Sequence, residues 1–348
     1  MANLTFNKID VNIYAVHNGL QYKIDTSEIN FGQTFQEKSY KVKTLHNQSS
    51  FEGSVINKAN PAEWSLDIPL LEESRNRILF DRLLDSGTFD LYISSQYDVW
   101  KLEKCIIQNG SFQIKKSEPL RLSIEGEASK LSKFTSSESN INLDAIKGKR
   151  LLIVSLGDVD FTELGASRNL VGEYFTATGN LDSGTGIVRS AIPGTPQGTS
   201  INTYSYIVPR INTLTLGGVD ISNLVVSLGL ELQNNFEWNK YDTIQGAVEA
   251  TNAETSMYPS TPTQQTRVLG GSIRKYLEKD APNVLTWSTN TPLVLKAWSS
   301  NGKGITLNIS NCSFTNRMSG DEVFTEEYSW RMTQNPTSLS SVLTYVTN

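Results

Sequence analysis

IQNGSF at 107–112 and ISNCSF at 309–314 carry Ile, Asn, Ser and Phe at matching places. Working outward, the strand-like runs that follow fall on the same offset, so that Glu125 meets Glu327. Upstream, LYISS at 91–95 pairs with KAWSS at 296–300 after a short gap, each preceded by a helix-like stretch. Identities in one order, beside the same elements, predict a duplicated domain.

Each block reads as strands. Alternating runs occur at VNIYAV (11–16), KSYKVKTL (38–45), EWSLDIPL (63–70), FDLYIS (89–94), KCIIQN (104–109) and LRLSIEGEAS (120–129). Period-2 alternation marks half-buried strands. LEESRNRILFDRLLDSG (71–87) reads as a helix, with Glu72 and Glu73 at its start, an apolar stripe of Leu79, Phe80, Leu83 and Leu84, and Gly87 at its end. The second block repeats the plan. INTLTLGGVDI (211–221) predicts a hairpin around Gly217 and Gly218, and LVVSLGLELQ (224–233) a strand. VLGGSIRKYLEKD (268–280) predicts the second helix, and LVLKAWS, GITLNIS and EVFTEEYSWRMT predict further strands. Between the blocks, 147–200 is rich in Gly, Thr and Ser, with strand-like LLIVSL and EYFTATG, and SAIPGTPQGTS (190–200) reads as a connector. The expected fold is mainly β: two tandem β-sandwich or partial-barrel domains at 1–146 and 201–348, each flanked by one α-helix, with a small β insert at 147–200.

Composition narrows the function. Hydrophobic residues are 38% and charged residues 19%, with 31 basic against 36 acidic side chains and a net charge of −5. Sequence-general DNA binding needs clustered cations, and the densest run is Lys147, Lys149 and Arg150. Cys105 and Cys312 stand too far apart for a zinc signature or a disulfide framework and read as free thiols. The N-terminus shows no secretory pattern, and no run approaches the ~20 apolar residues of a membrane span. His17 beside a turn and His46 in a polar loop are the only histidines, and no HExxH, GxSxG, CxxC or phosphate-loop motif occurs. NGKG at 301–304 reads as a hairpin turn. Glu125 and Glu127 share a strand face, which suits a solvated acidic surface better than a catalytic pair facing across a cleft. The reading is a non-enzyme without cofactor or metal. The tryptophans Trp64, Trp100, Trp238, Trp287, Trp298 and Trp330 read as core or subunit-interface residues.

EINFGQTFQEKSYKVKTLHNQSSFEGSVINKANPAEWSLDIPLL (28–71), with NPAEWS at Asn60–Ser65 after a long polar loop and INFGQ at 29–33 before it, resembles the first domain of phage tail tube proteins with a duplicated tube domain. DFTELGASRNLVGEYFTATGNLDSGTGIV (160–188) resembles a short module of phage virion proteins.

The resemblance implies trimeric, pseudo-hexameric rings whose inner sheets join around a channel. Such rings stack into a hollow tube that delivers DNA, with tape-measure protein and DNA in the lumen and tail tip and terminator proteins at the ends. It places the protein in the virion tail, assembled in the host cytoplasm. The loop at 34–59, with Glu37, Lys38, Lys41, Lys43 and Glu52, is then the inter-ring contact, and the insert lies outside and is dispensable. Leu120, Leu122 and Ile124 alternate with Ser123, Glu125 and Glu127, so Glu125, Glu127 and Glu327 are expected to line the lumen and repel phosphate. Thr325 is expected beside Glu327, with Phe324, Tyr328 and Trp330 on the core face and Glu326 among them needing a partner. The rivals are another virion component with tube-like domains, such as a distal tail or tube-terminator protein, and a carbohydrate-binding fibre.

Overall fold

The computed structural model describes residues 11–41, 53–72, 76–95, 98–134, 140–197, 205–239, 257–277, 287–320 and 322–347. The fold is mainly β, and among these residues no sheet closes into a barrel.

In the first half, β1 (Asn12–His17) and β2 (Leu20–Ile24) form a hairpin around Asn18 and Gly19, at φ 50° and 74°. Two central residues at positive φ give the turn whose twist matches that of its strands. There follow β3 (Glu28–Gly32), β4 (Phe35–Tyr40), β5 (Gly53–Ala59), β6 (Ala62–Pro69), α1 (Arg77–Asp85), β7 (Phe89–Ser94), β8 (Val99–Lys115), β9 (Arg121–Ala128) and β10 (Lys130–Phe134). β8 turns a corner between two sheets. Its start pairs with β7 and β10, and its end with β9.

A small module comes next: β11 (Arg150–Ser155), β12 (Tyr174–Thr176), β13 (Ile187–Ser190) and β14 (Thr195–Gln197). The second half contains β15 (Arg210–Leu216), β16 (Val219–Asp220), β17 (Val225–Trp238), β18 (Pro262–Tyr276), β19 (Trp287–Trp298), β20 (Gly304–Gly320), β21 (Phe324–Met332) and β22 (Leu343–Val346). Its first hairpin also turns on two positive-φ residues, Gly217 and Gly218, at 62° and 81°.

The pairing runs in the same order in both halves. The series β2–β1–β7–β8–β10 matches β16–β15–β19–β20–β22. The series β3–β6–β9–β8 matches β17–β18–β21–β20. β8 then pairs with β17, which joins the two halves edge to edge in one sheet.

Several sequence expectations are corrected. Residues 262–276 form β18, so the helix expected at 268–280 is absent from that stretch, and 278–286 lie outside the described residues. Strand partners on both sides, β17 and β21, hold this segment extended. Gly270 and Gly271 are poor helix formers, and a Cβ at Gly271 would sit 2.1 Å from the Gly229 carbonyl oxygen.

α1 begins only at Arg77, after Asn76, and its first turn holds no acidic residue. Glu72 is buried and accepts from Ser299 Oγ (3.0 Å) and Asn301 Nδ2 (2.9 Å), tying the helix approach to the other half. The helix ends on Ser86 at φ 60°, one residue before the expected Gly87. Its stripe of Leu79, Phe80, Leu83 and Leu84 is buried, as expected.

The hairpin registers differ as well. Phe112 faces Leu122, whereas Phe314 faces Trp330. With the two phenylalanines matched, Glu125 lies beyond its reference pair and Glu327 before its own, so the two glutamates are not equivalent. Phe324, expected in the core, is 64% exposed at the hairpin end. Tyr328 and Trp330 are buried, and Glu326 beside them accepts from Tyr328 Oη at 2.8 Å. Thr325 is buried too, bonded to Ser319 Oγ at 2.9 Å.

The connector also differs. Thr195–Gln197 is a strand parallel to β2, which it covers at its edge. The module has its own core of Leu143, Ile146, Leu151, Ile153, Phe161, Phe175 and Val188. It docks on the outer face of β1 and β7 through Tyr14, Tyr92, Val99, Tyr174, Ala191 and Ile192. Arg150 is buried in this junction and donates to Ser94 Oγ (2.8 Å) and the Ser95 carbonyl (2.7 Å).

The mismatch of Gly110 with Cys312 inside the repeated motif has a packing cause. A Cβ at Gly110 would meet Leu83 Cδ2 of α1 at 2.3 Å, while the Cys312 side chain is accommodated fully buried. Gly110→Cys should overpack this contact and destabilise the fold by about 1–3 kcal/mol, measurable by urea unfolding. An unchanged midpoint would contradict this account of the glycine.

Candidate functional site: a polar sheet face with two open edges

The joined sheet has one face on the core and one face polar. β9 alternates Leu122, Ile124 and Ala128 inward with Arg121, Ser123, Glu125 and Glu127 outward. β6 does the same, with Trp64, Leu66 and Ile68 inward and Glu63, Ser65 and Asp67 outward. The pairings carry this polarity across the seam. One row of partners runs Asp67, Ser123, Ser111, Glu231, Gly270, Arg331, Ser313. Another runs Lys115, Ser227, Arg274, Glu327, Arg317. Small and polar side chains dominate the face, which suits a surface in contact with water.

Glu125, Glu127 and Glu327 all lie on this face, in different surroundings. Glu125 is exposed, next to Ser65 and Asn109. Glu127 is half-buried, directly opposite Glu63, and its carboxylate accepts from Trp238 Nε1 of the other half at 2.6 Å. Glu327 stands between Arg274 and Arg317 on the neighbouring strands, so its negative field is offset locally. A shallow concavity of about 610 Å³ lies beside Glu63, Glu125 and Glu127, with Phe31, Gln33 and Trp64 also in its wall.

Sequence reading missed Glu63, Asp67, Arg274, Arg317 and Arg331. The same period-2 alternation that singled out Glu125 marks Glu63 and Asp67 in β6 and Arg331 in β21.

The two end strands of this sheet, β3 and β20, leave edges without a strand partner among the described residues. β3 pairs only with β6, and β20 beyond Thr315 pairs only with β21. Phe31 on β3 is 37% exposed and Met318 on β20 is 61% exposed. Trp287, close to the β20 edge, is 67% exposed, while Trp64 and Trp330 belong to the core. Open edges are templates for pairing with another chain. The edges at β2 and β16 are blunted: β14 covers β2, and its counterpart β16 is only 2 residues long.

Within the segment expected as a loop at 34–59, β4 and β5 pair as a two-stranded ribbon, and 42–52 lie outside the described residues. Cross-strand partners such as Ser39 with Ser54 supply ladder contacts that a composition reading undervalues. Glu37, Lys38 and Lys41 are exposed on it, and Lys43 and Glu52 lie outside the described residues. Phe35, Tyr40 and Ile56 are also exposed. An isolated two-stranded ribbon is marginal on its own.

His17 sits at the β1 turn, its Nδ1 at 3.0 Å from the Thr88 carbonyl and its Nε2 at 2.8 Å from Arg82 Nη1, which is a structural role. His46 lies outside the described residues. Cys105 and Cys312 are buried, and burial pushes both thiols up. Among the described residues no group of His, Cys, Asp and Glu has metal-site geometry, and no helix is long and apolar enough to cross a membrane.

No family model and no curated protein matches the sequence. Among solved structures, a chain of the anti-feeding prophage baseplate matches with a TM-score of 0.33 and 12% identity, over 38% of this chain and 97% of that one. A likeness at that level carries no argument about this chain.

Proposed function

We propose that this chain is a structural subunit of a phage tail tube, in which copies join head to tail into rings and the rings stack around a DNA channel. The observation that carries the reading is the internal seam. β8 of the first half pairs with β17 of the second, joining two like-ordered strand series edge to edge. β20 corresponds to β8 and β3 to β17 in those series. Beyond Thr315 the edge of β20 is open, as is that of β3, so a pairing of the same kind can form between chains, β20 of one copy to β3 of the next. Repeating one heterologous contact closes a ring when the rotation permits, and closure removes the open edges.

Two half-units per chain suit a ring of three copies with sixfold pseudo-symmetry. The polar face, with Glu125 and Glu127, then lines the channel, where DNA and a tape-measure protein pass without being gripped. The β4–β5 ribbon projects toward the neighbouring ring, and tail tip and terminator proteins cap the tube. The chain acts as a non-enzymatic part of the virion tail, assembled in the host cytoplasm.

Electron microscopy of concentrated protein should show long hollow polymers built of threefold rings. Six chains per ring would overturn the proposal, and discrete single rings would favour a tube-terminator or distal tail component. Substituting proline at both Asn30 and Phe31 removes an outward N–H from β3 whichever of the two points to the open edge. That variant should stay monomeric, with the monomer's circular dichroism retained. Normal tubes from it would exclude β3 as the joining edge.

A further inference from the structure

The two open edges carry opposite charge on the polar face. β3 carries Glu28, β6 beside it carries Glu63 and Asp67, and β9 one strand further in carries Glu125 and Glu127, with Arg121 the cation among them, already paired to Asp67 at 3.0 Å. Glu63 stands directly opposite Glu127, a like-charge pairing that destabilises an isolated sheet. At the far end, β20, β21 and β18 present exposed Arg317, Arg331 and Arg274 around Glu327. The internal seam differs. Its polar partners are Lys115 with Ser227, Gln113 with Gly229, Ser111 with Glu231 and Asn109 with Gln233, and none of these places charge against charge.

We infer that this charge segregation is a docking device for a second copy of the chain: the arginine-bearing β20 edge of one copy seats against the carboxylate-bearing β3 edge of the next, fixing head-to-tail direction and making assembly salt-dependent. The inference rests on the ring reading above and adds what selects the contact. Neighbouring strands lie ~4.8 Å apart, so once β20 meets β3, Arg317 comes within side-chain reach of the carboxylates on the adjoining strands. The arrangement also works against the wrong product. Pairing β3 with β3, or β20 with β20, would place like charges together and yield a closed dimer in place of a ring. The internal seam needs no such guidance, because its strands belong to one chain.

Complementary patches act mainly on encounter rate and on the choice of partner, and they weaken with salt. Screening acts within about 10 Å at 0.1 M salt. The test follows polymer growth by light scattering and electron microscopy between about 50 mM and about 500 mM NaCl. Wild-type growth should slow steadily as salt rises. Arg317→Glu should slow growth about tenfold or more at low salt. Adding Glu63→Lys to Arg317→Glu inverts both sides of the seam and should restore growth to within a few-fold of wild type. Growth that ignores salt, an Arg317→Glu protein that assembles at the wild-type rate, or a double variant no better than Arg317→Glu would each overturn the inference. Wild-type tubes formed alongside any of these outcomes leave the ring reading standing. A wild-type protein that stays monomeric at every salt concentration overturns both.

Discussion

Deleting residues 140–197 and closing the gap with a short linker should cost the remaining fold on the order of 5 kcal/mol, and should leave a protein prone to associate through the uncovered face. The module is docked on the first half. Tyr14, Tyr92 and Val99 are at most 6% exposed beneath it. Burying a large apolar side chain contributes about 1.5–3 kcal/mol each, an upper estimate because the unfolded chain already hides some surface. Tyr92 shows how dry the junction is: burial pushes its phenol up to about 12. The corresponding strand β15 in the second half, which carries no such module among the described residues, alternates Thr213 and Thr215 with its buried leucines Leu214 and Leu216. That contrast supplies a control. The deletion combined with Tyr14→Thr, Tyr92→Thr and Val99→Thr should recover a monodisperse protein. A plain deletion with wild-type urea midpoint and no dye-binding apolar surface would show that the module contributes nothing to the fold.

The same contrast explains what was legible in the sequence. Half-buried strands announce themselves by alternation, and β6, β9 and β21 lie where LDI, LSI and YSW patterns put them. Strands covered on both faces lose that alternation. The consecutive apolar residues of IYAV in β1 and LYI in β7 were the available sign that something covers the outer side of the first half.

The helix expected at 268–280 failed for a different reason. Apolar residues at 268, 269, 273 and 277 fit a helical stripe, but the tandem Gly270–Gly271 inside it weakens a helix, and long-range partners on both sides decided the outcome. The polar face was half legible. Alternation placed Glu125 and Glu127 on it, but the arginines flanking Glu327 arrive from β18 and β20, strands remote in sequence, and single-strand reasoning has no access to them. Hairpin register was hidden as well, because short identities fix one strand and say nothing of its partner.

The largest single-residue effect should come from Arg267, at the junction of the two halves. A helix ends with carbonyls that lack partners within the helix. In α1 two of these are met from the other half. Arg267 Nη2 donates to the Leu83 carbonyl at 3.0 Å and the Leu84 carbonyl at 2.7 Å. Asn234 Nδ2 donates to the Leu83 carbonyl at 3.0 Å and the Ile107 carbonyl at 3.1 Å. Arg267 Nε in turn donates to Asn234 Oδ1 at 2.7 Å and fixes the amide. The cation also sits at the negative end of the helix dipole, where it is stabilising. Burial pulls the guanidinium below its usual value, yet it stays charged at any working pH.

Arg267→Met keeps the packing volume but strands the Leu84 carbonyl and the Asn234 amide oxygen, and takes one of two donors from the Leu83 carbonyl. Hydrogen bonds to charged groups contribute about 1.5–3 kcal/mol each, and buried polar groups left unpaired cost a similar amount. We expect a loss of about 3 kcal/mol in urea unfolding. Arg267→Lys should recover less than half of it, since one ammonium cannot reproduce the planar fork that spans two carbonyls and an amide. Asn234→Ala combined with Arg267→Met should fall short of the sum of the single losses by about 1 kcal/mol, because the second change removes a group already orphaned. A loss below about 0.5 kcal/mol for Arg267→Met, which is the range of ordinary surface changes, would mean that the halves are joined by the β8–β17 ladder and the shared core without help from this cap.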